Sequence, residues 1–180
     1  MEALSLCGGF KLRLAAAEDA DAATAAFLPQ RVALQSTFGA FDFHFIIEMS
    51  IYSFVVLNAD DKLVAFCSFN DAPSVPGTVA MRKIPDARAW ARQEASDLGF
   101  LTDSLLWMGV CAMCSLTEDE MQRASSAFMR AVFTLCPDIQ AVLLPSPAQY
   151  PVFPQLFKTM SRTSDYGLLM CACLRSINNP

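Results

Sequence analysis

The chain lacks the features that mark several common classes of protein. No cluster of Lys and Arg exceeds the adjacent pair Arg82 and Lys83, whereas a protein that binds a phosphate backbone needs a basic stripe. No stretch of roughly 18 strongly apolar residues suggests a membrane span, and residues 1–13 lack the basic start and long apolar core of a signal peptide. We therefore expect neither a nucleic-acid partner nor membrane insertion, and a location in the cytosol or on a cytosolic structure.

Residues that bind metals are also scarce. His44 is the only histidine, and the pair Cys111 and Cys114 has no second C-x-x-C pair after it, although a zinc site needs four suitably spaced ligands. Side chains three apart on a strand also point to opposite faces. The seven cysteines lie mostly in apolar stretches, where we expect small buried side chains in a reducing compartment. The sequence therefore predicts no metal site.

Apolar residues are abundant and make up 54% of the 180 residues. A chain of this length can bury about 70% of its unfolded surface in one domain, so we expect a single domain over residues 1–180. Only 17% of the residues are charged, and the net charge of −5 favours solubility. The high apolar content and the low charged content fit two explanations equally: an apolar surface that a partner covers, or a large core.

Turn formers and apolar periodicity predict alternating strands and helices. The clearest signal is a hairpin over 52–69, in which two β-rich runs flank the turn 58–61. Thr117 and Glu120 predict a capping box at the start of a helix that Pro137 ends. The other predicted elements are strands over 11–15, 105–113, 139–144 and 166–175, helices over 16–28, 31–37, 41–50 and 84–97, a proline-rich loop over 145–154, and one or two helical turns over 155–160. The apolar density of residues 41–50 is also compatible with a strand. This order predicts an α/β (α+β) fold, a mixed β-sheet with helices on both faces.

The order of elements, with LRLAAAEDADA after a first strand and a hairpin ending LVAFCSF, resembles the GNAT acetyltransferase fold. In that family, a loop of the pattern Arg/Gln-x-x-Gly-x-Gly/Ala and the following helix hold the pyrophosphate of coenzyme A. The matching segment, residues 115–127, contains no glycine. Acidic side chains in the first helical turn already satisfy the helix dipole and would repel a pyrophosphate. We expect a degenerate loop without a cofactor, formed by Ser115, Thr117, Glu118, Asp119 and Glu120.

The resemblance to acetyltransferases indicates little catalytic chemistry. These enzymes often protonate the leaving thiolate with a tyrosine, and Phe157 stands at the matching position, where it has no proton to give. Glu48 and His44 could act as a base only if a substrate lay above them. We expect Glu48 to be a solvated or capping group and His44 to be packed with one hydrogen bond. No catalytic residue is predicted.

A second resemblance covers most of the chain. The sequence is similar to the amino-terminal domain of the cilia- and flagella-associated protein 61 family. The matching features are Phe38-Gly39, Ile47-Glu48, Asn58, Asp61, Ala65, the run Phe69 to Pro73, Leu106-Trp107, Cys136-Pro137-Asp138 and Pro145-Ser146. This resemblance implies a non-catalytic structural role in the ciliary or flagellar axoneme. Its partners would be proteins of the calmodulin- and spoke-associated complex at the base of radial spokes, with doublet microtubules as indirect partners.

Three functions therefore stay open at the level of the sequence. The resemblance to the ciliary family favours an interaction domain, whereas a divergent acetyltransferase would need Ser115, Ser125 and Ser126 to replace the contacts of the glycine loop. A binder of another small ligand is the third. Aromatic residues are enriched at the centres of interfaces, although burial in the domain's own core explains them nearly as well. The candidate interface residues are Phe38, Phe41, Phe43, Phe45, Tyr150 and Phe153.

Overall fold

The structure, a computed structural model, describes residues 4–5, 9–38, 42–72, 87–147, 157–159 and 168–175. Its central feature is an eight-stranded mixed sheet in the order β1-β2-β3-β4-β5-β6-β8-β7. All neighbouring strands are antiparallel except β5 and β6, which are parallel. The strands are β1 Leu4–Ser5, β2 Lys11–Leu14, β3 Tyr52–Leu57, β4 Leu63–Asn70, β5 Leu105–Met113, β6 Ala141–Pro147, β7 Lys158–Thr159 and β8 Leu168–Leu174.

Helices cover both faces of this sheet, as the sequence predicts. The five α-helices are α1 Asp19–Ala26, α2 Arg31–Phe38, α3 Phe43–Met49, α4 Ala87–Asp97 and α5 Glu118–Leu135. Helix α5 packs on one face through its buried side chains, among them Phe128 and Val132. Helices α1 to α3 cover β3, β4 and β5 on the other face, where α4 covers β6 and β8. The predicted mixed sheet with helices on both faces is thus confirmed.

The hairpin of β3 and β4 forms as predicted, and local side-chain chemistry explains its turn. The Asn58 carboxamide accepts hydrogen bonds from the backbone N–H groups of Asp60 and Lys62, at 3.0 and 2.9 Å. Asp61 adopts the left-handed region with φ of 56°, which Asp tolerates better than most residues. The Lys11 ammonium pairs with the Asp61 carboxylate at 2.7 Å and ties the turn to β2.

Two segments differ from the sequence prediction. Strand β6 continues through Pro145 and Pro147, which the sequence places in a loop, and residues 158–159 form β7 rather than a helical turn. Both segments pair with β8, so pairing between residues distant in sequence overrides the local propensities. Residues 73–77, 148–156 and 160, on which parts of the predicted loops and helical turns fall, lie outside the described residues.

Strand β5 contains a β-bulge. The register with β4 shifts between the pairs Cys67 with Cys111 and Phe69 with Met108, so Gly109 and Val110 together oppose Ser68. The extra residue reverses the alternation of side chains. Before the bulge, Leu106 and Met108 belong to the core beneath α5. After it, Cys111 and Met113 pack against that core, whereas Val110 and Ala112 pack beneath α1 and α3.

Candidate active site

The parallel strands β5 and β6 separate part of the way along their length. They pair only through Leu105 with Ala141, Leu106 with Val142, and Trp107 with Leu143. Beyond these pairs, β5 runs to Met113 and β6 runs to Pro147, and no described residue of one strand pairs with the other. The two strands therefore leave a gap whose β5 side is an unpaired strand edge.

The prolines of β6 explain why the pairing ends where it does. Pro145 and Pro147 lie two residues apart, so both missing N–H donors are on the same edge of the strand. The ladder with β8 continues through both prolines, which places the missing donors on the edge that faces β5. Proline is confined in sheets to edges that need no donor, and here it leaves β6 unable to continue its ladder with β5.

The bulge in β5 lies at this gap and is held by a buried hydroxyl. The Ser68 hydroxyl oxygen accepts a hydrogen bond from the Val110 N–H at 3.0 Å, and Ser68 is 1% exposed. A bulge disrupts the ladder locally and leaves a backbone donor to be satisfied. Ser68 supplies the missing acceptor and so fixes where the β5 backbone bends. Bulges are over-represented next to active sites, where they re-aim a side chain or end the pairing of strands.

The carboxyl end of β5 leads into a tight turn before α5. Cys114 donates its N–H to the Val64 carbonyl of β4 at 2.9 Å. Ser115 follows in the left-handed region with φ of 55°, a conformation that costs a residue with a Cβ about 1–2 kcal/mol. The side chain of Gln30 donates to the Met113 carbonyl at 2.7 Å. The chain thus places a glycine-like turn at the mouth of the gap without using glycine.

The predicted capping box closes the start of α5. The Thr117 hydroxyl oxygen accepts from the Glu120 N–H at 3.4 Å, and the Glu120 carboxylate accepts from the Thr117 N–H at 2.8 Å. The backbone hydrogen bond from Thr117, followed by the one from its hydroxyl, lowers the pKa of Glu120. Two of the four free N–H groups of the helix start are therefore satisfied within the chain.

The structure brings the five residues of the predicted degenerate loop together at this helix start. Ser115 forms the turn, Thr117 caps the helix, and Glu118, Asp119 and Glu120 occupy its first turn. Glu118 and Asp119 are exposed, so their carboxylates lie beside the N–H groups that an anion would approach. Whether they exclude a pyrophosphate remains a prediction of the sequence.

Two thiols near the gap, those of Cys114 and Cys67, have a raised pKa. Burial raises the pKa of the half-buried Cys114 thiol, although a hydrogen bond with the Ser115 side chain opposes this effect. Burial also raises the pKa of Cys67 well above its usual value, and the hydrogen bond with Cys111 raises it further. A thiol acts as a nucleophile through its thiolate. Neither Cys114 nor Cys67 is therefore activated as a nucleophile.

The remaining site candidates of the sequence analysis lie elsewhere. Phe157 is 4% exposed in the core beneath α5. The expectation that His44 is packed is wrong: its ring is exposed and lies 3.2 Å from the exposed carboxylate of Asp21. Glu48 is exposed on α3. Neither His44 nor Glu48 belongs to the gap between β5 and β6.

The structure describes the side chains of two of the six predicted interface residues, Phe43 and Phe45, and these two differ in exposure. Phe43 is 2% exposed and its ring packs against those of Phe27 and Phe66, so it is a core residue. Phe45 is 51% exposed and stays a candidate for an interface. Phe41, Tyr150, Phe153 and the side chain of Phe38 lie outside the described residues.

Sequence reasoning missed three residues that shape the gap: Ser68, Gly109 and Gln30. An isolated glycine inside an apolar strand indicates a bulge or a close approach of backbone, so Gly109 carried a usable signal. Ser68 is 42 residues from Val110 and Gln30 is 83 residues from Met113, and nothing local in the sequence marks either contact. Within the described ranges, no group of His, Cys, Asp and Glu side chains could hold a metal ion, and no helix is long and apolar enough to span a membrane.

The fold and the gap define a GNAT-like architecture. No protein-family model and no curated protein matches the sequence, but solved structures match the fold. The ribosomal-protein-S5-alanine acetyltransferase from Vibrio fischeri gives a TM-score of 0.64 at 12% identity over 100% of both chains. A ribosomal L7/L12 α-N-protein acetyltransferase in complex with coenzyme A gives 0.63 at 12% identity, over 96% of this chain and 98% of that one. FeeM, an N-acyl amino acid synthase from uncultured soil microbes, gives 0.57 at 21% identity, over 92% and 91%.

These comparisons overturn the ciliary interpretation. The predicted resemblance to the cilia- and flagella-associated protein 61 family is wrong, because the matching structures are acetyltransferases and an N-acyl amino acid synthase. The non-catalytic role in the axoneme and the prediction that the chain is no enzyme, which also drew on the glycine-free loop and on Phe157, are wrong for the same reason. The expected axonemal partners and ciliary location remain untested predictions of that resemblance.

Proposed function

We propose that the chain is an acetyl-coenzyme A-dependent N-acetyltransferase that acts on a primary amine. The observation that carries this proposal is the unpaired edge of β5 from Met108 to Met113, which opens beside the Ser115 turn. Unpaired strand edges accept extended chains that contain amide groups, and the pantetheine arm of coenzyme A is such a chain. The acetyltransferases that share the fold support the same function.

The two ends of coenzyme A fit this site unequally. The β5 edge suits the pantetheine arm, whereas Glu118 and Asp119 in the first turn of α5 oppose the pyrophosphate. We therefore expect the pantetheine arm to supply most of the affinity. S-acetylpantetheine, which lacks the pyrophosphate, should bind within about fivefold of acetyl-coenzyme A, because a helix-end charge contributes roughly 1 kcal/mol or less.

The proposed reaction needs the protein to align the thioester and the amine more than it needs a side chain that transfers a proton. An acetyl thioester supplies the acyl group when it is bound. The unprotonated amine forms a bond to the carbonyl carbon, the C–S bond breaks, the amine gives its proton to water, and the sulfur leaves as a thiolate that water protonates. Phe157 has no proton to give, so the chain contributes by holding the two reactants together. We expect kcat/KM to rise with pH through the pKa of the acceptor amine.

Calorimetry and a thiol-release assay test this function directly. Titration of the protein with acetyl-coenzyme A and with S-acetylpantetheine should give saturable binding, and adenosine 3′,5′-bisphosphate, which lacks the pantetheine arm, serves as the control ligand. Thiol release should then depend on an added peptide with a free α-amine. Absence of binding by both thioesters at millimolar concentration would contradict the proposal.

A further inference from the structure

Gln30 makes a contact that crosses the layers of the fold to reach the gap. It ends the 3-10 helix Leu28–Gln30, which follows α1, and its side-chain amide donates to the Met113 carbonyl at 2.7 Å. The segment that carries it is anchored, because the Gln30 N–H donates to the Phe27 carbonyl at 2.9 Å and Phe27 is 1% exposed. Gln30 is thus presented to the end of β5 from a fixed position.

The Met113 carbonyl points toward the gap. This carbonyl and the Cys114 N–H belong to one trans peptide group, so they point in opposite directions. The Cys114 N–H donates to Val64 of β4, on the side away from β6. The Met113 carbonyl therefore faces the β6 side, where no described residue of β6 pairs with it. Gln30 satisfies a carbonyl that the separation of the strands leaves without a ladder partner.

This contact fixes both ends of the same peptide group. Val64 holds the Cys114 N–H and Gln30 holds the Met113 carbonyl, so the plane of the peptide before Ser115 is set from two directions. The left-handed conformation of Ser115 follows immediately, and α5 begins three residues later. Rotation of the Met113–Cys114 peptide would change the direction of the β5 edge and the path of the turn together.

We propose that Gln30 is a positioning residue of the acyl-donor site, which acts through the Met113 carbonyl to orient the end of β5 and the Ser115 turn. This inference rests on the proposed acetyltransferase function. Gln30 lies on the connection between α1 and α2, so it also links the layer of helices α1 to α3 to the gap between β5 and β6. Its role is distinct from a general contribution to folding because its partner is a backbone group at the mouth of the gap.

The test compares the native chain with Gln30→Met, which keeps the length of the side chain but cannot donate a hydrogen bond. Gln93→Met is the matched control, because Gln93 is exposed on α4 and its amide bonds only Asp97 in the described structure, at 2.8 Å. Loss of one hydrogen bond predicts an increase in the Kd and KM for S-acetylpantetheine of about threefold to tenfold. The kcat and the KM for the amine should stay within twofold, and hydrogen exchange at residues 114–117 should accelerate.

The outcomes separate this inference from the function on which it rests. Native binding that weakens in Gln30→Met but not in Gln93→Met, together with faster exchange at 114–117, supports the positioning role. Equal thioester binding by the native chain and Gln30→Met overturns the role and leaves the acetyltransferase proposal intact. If the native chain binds neither acetyl-coenzyme A nor S-acetylpantetheine, both the proposed acetyltransferase function and the proposed role of Gln30 are contradicted. A drop in kcat with unchanged donor binding also overturns the inference.

Discussion

The β5–α5–β6 unit has one closed end and one open end. At the closed end, β5 and β6 pair through Leu105–Trp107, and Gln140 donates its N–H to the Ser104 carbonyl at 2.8 Å. At the open end the strands separate, and α5 begins with a capping box made from its own residues. The same crossover thus provides stability at one end and unpaired polar groups at the other, where a ligand can supply the missing partners.

Arg175 is the residue that most clearly distinguishes the closed end. Its guanidinium donates to the carbonyls of Phe133, Cys136 and Ile139 at 2.8, 2.7 and 2.9 Å, and it lies 5.3 Å from the centre of the Phe133 ring. The carbonyls at the end of a helix have no intrahelical partners. One side chain therefore satisfies the end of α5 and joins it to β6 and β8.

Removing the three hydrogen bonds of the Arg175 guanidinium should have the largest effect on stability. Arg175→Met should lower the free energy of unfolding by about 2–4 kcal/mol, because three carbonyls lose a charged donor. For a chain of this size that corresponds to a fall in Tm of roughly 5–15 °C. Thermal unfolding followed by circular dichroism measures it, with the exposed Arg130→Met as control. An unchanged Tm in Arg175→Met would mean that the hydrogen bonds of Arg175 do not stabilise the closed end.

The bulge at the open end gives the next largest effect, and the chain offers a matched pair of serines. Ser53 and Ser68 are register partners on β3 and β4. Ser68 holds the Val110 N–H, whereas the buried Ser53 hydroxyl is the one buried side-chain polar atom without a partner among the described residues. Ser68→Ala should destabilise by about 1–3 kcal/mol. Ser53→Ala should be neutral or slightly stabilising by urea unfolding, and equal losses in both variants would contradict this assignment.

Much of the local structure could be predicted from the sequence, but the gap could not. Thr117 and Glu120, or Asn58 and its turn, lie within four residues of the groups they bond, so local chemistry identifies them. The separation of β5 from β6 depends on pairing between residues more than 30 positions apart. Pro145 and Pro147 predict a loop because proline breaks most strands, and only the missing neighbour on one edge makes them acceptable in β6.

Variants in the acidic first turn of α5 test how the open end binds the coenzyme. Glu118→Gln with Asp119→Asn should increase the affinity for acetyl-coenzyme A by about threefold to tenfold at low salt, because two charges near the pyrophosphate are removed. Affinity for S-acetylpantetheine should not change. Calorimetry at two salt concentrations separates the two results, and Asp138→Asn, beyond the other end of α5, serves as control. An equal gain for both ligands would exclude an effect through the pyrophosphate.

The smallest expected effect concerns the Ser115 turn. Glycine adopts φ of 55° without the clash of a Cβ, so Ser115→Gly should stabilise the folded state by about 0.5–1 kcal/mol, although greater freedom of the unfolded chain reduces this gain. Tm should rise by roughly 1–4 °C. A fall in Tm would show that the Ser115 side chain, through its contact with Cys114, stabilises the turn by more than the conformation costs.

The bulge in β5 also has a consequence for how the chain folds. Two continuous registers between β4 and β5 are available during folding, one set by Trp107 with Asn70 and the other by Met113 with Ala65. Either register, extended along the whole strand, would turn half of the apolar residues of β5 toward the wrong helical layer. Only a pairing that changes register at Gly109 places the apolar side chains of both halves of β5 against α5 on one face and against α1 to α3 on the other. We expect β5 to dock late in folding, after α5 and the α1–α3 layer each hold one half of the strand.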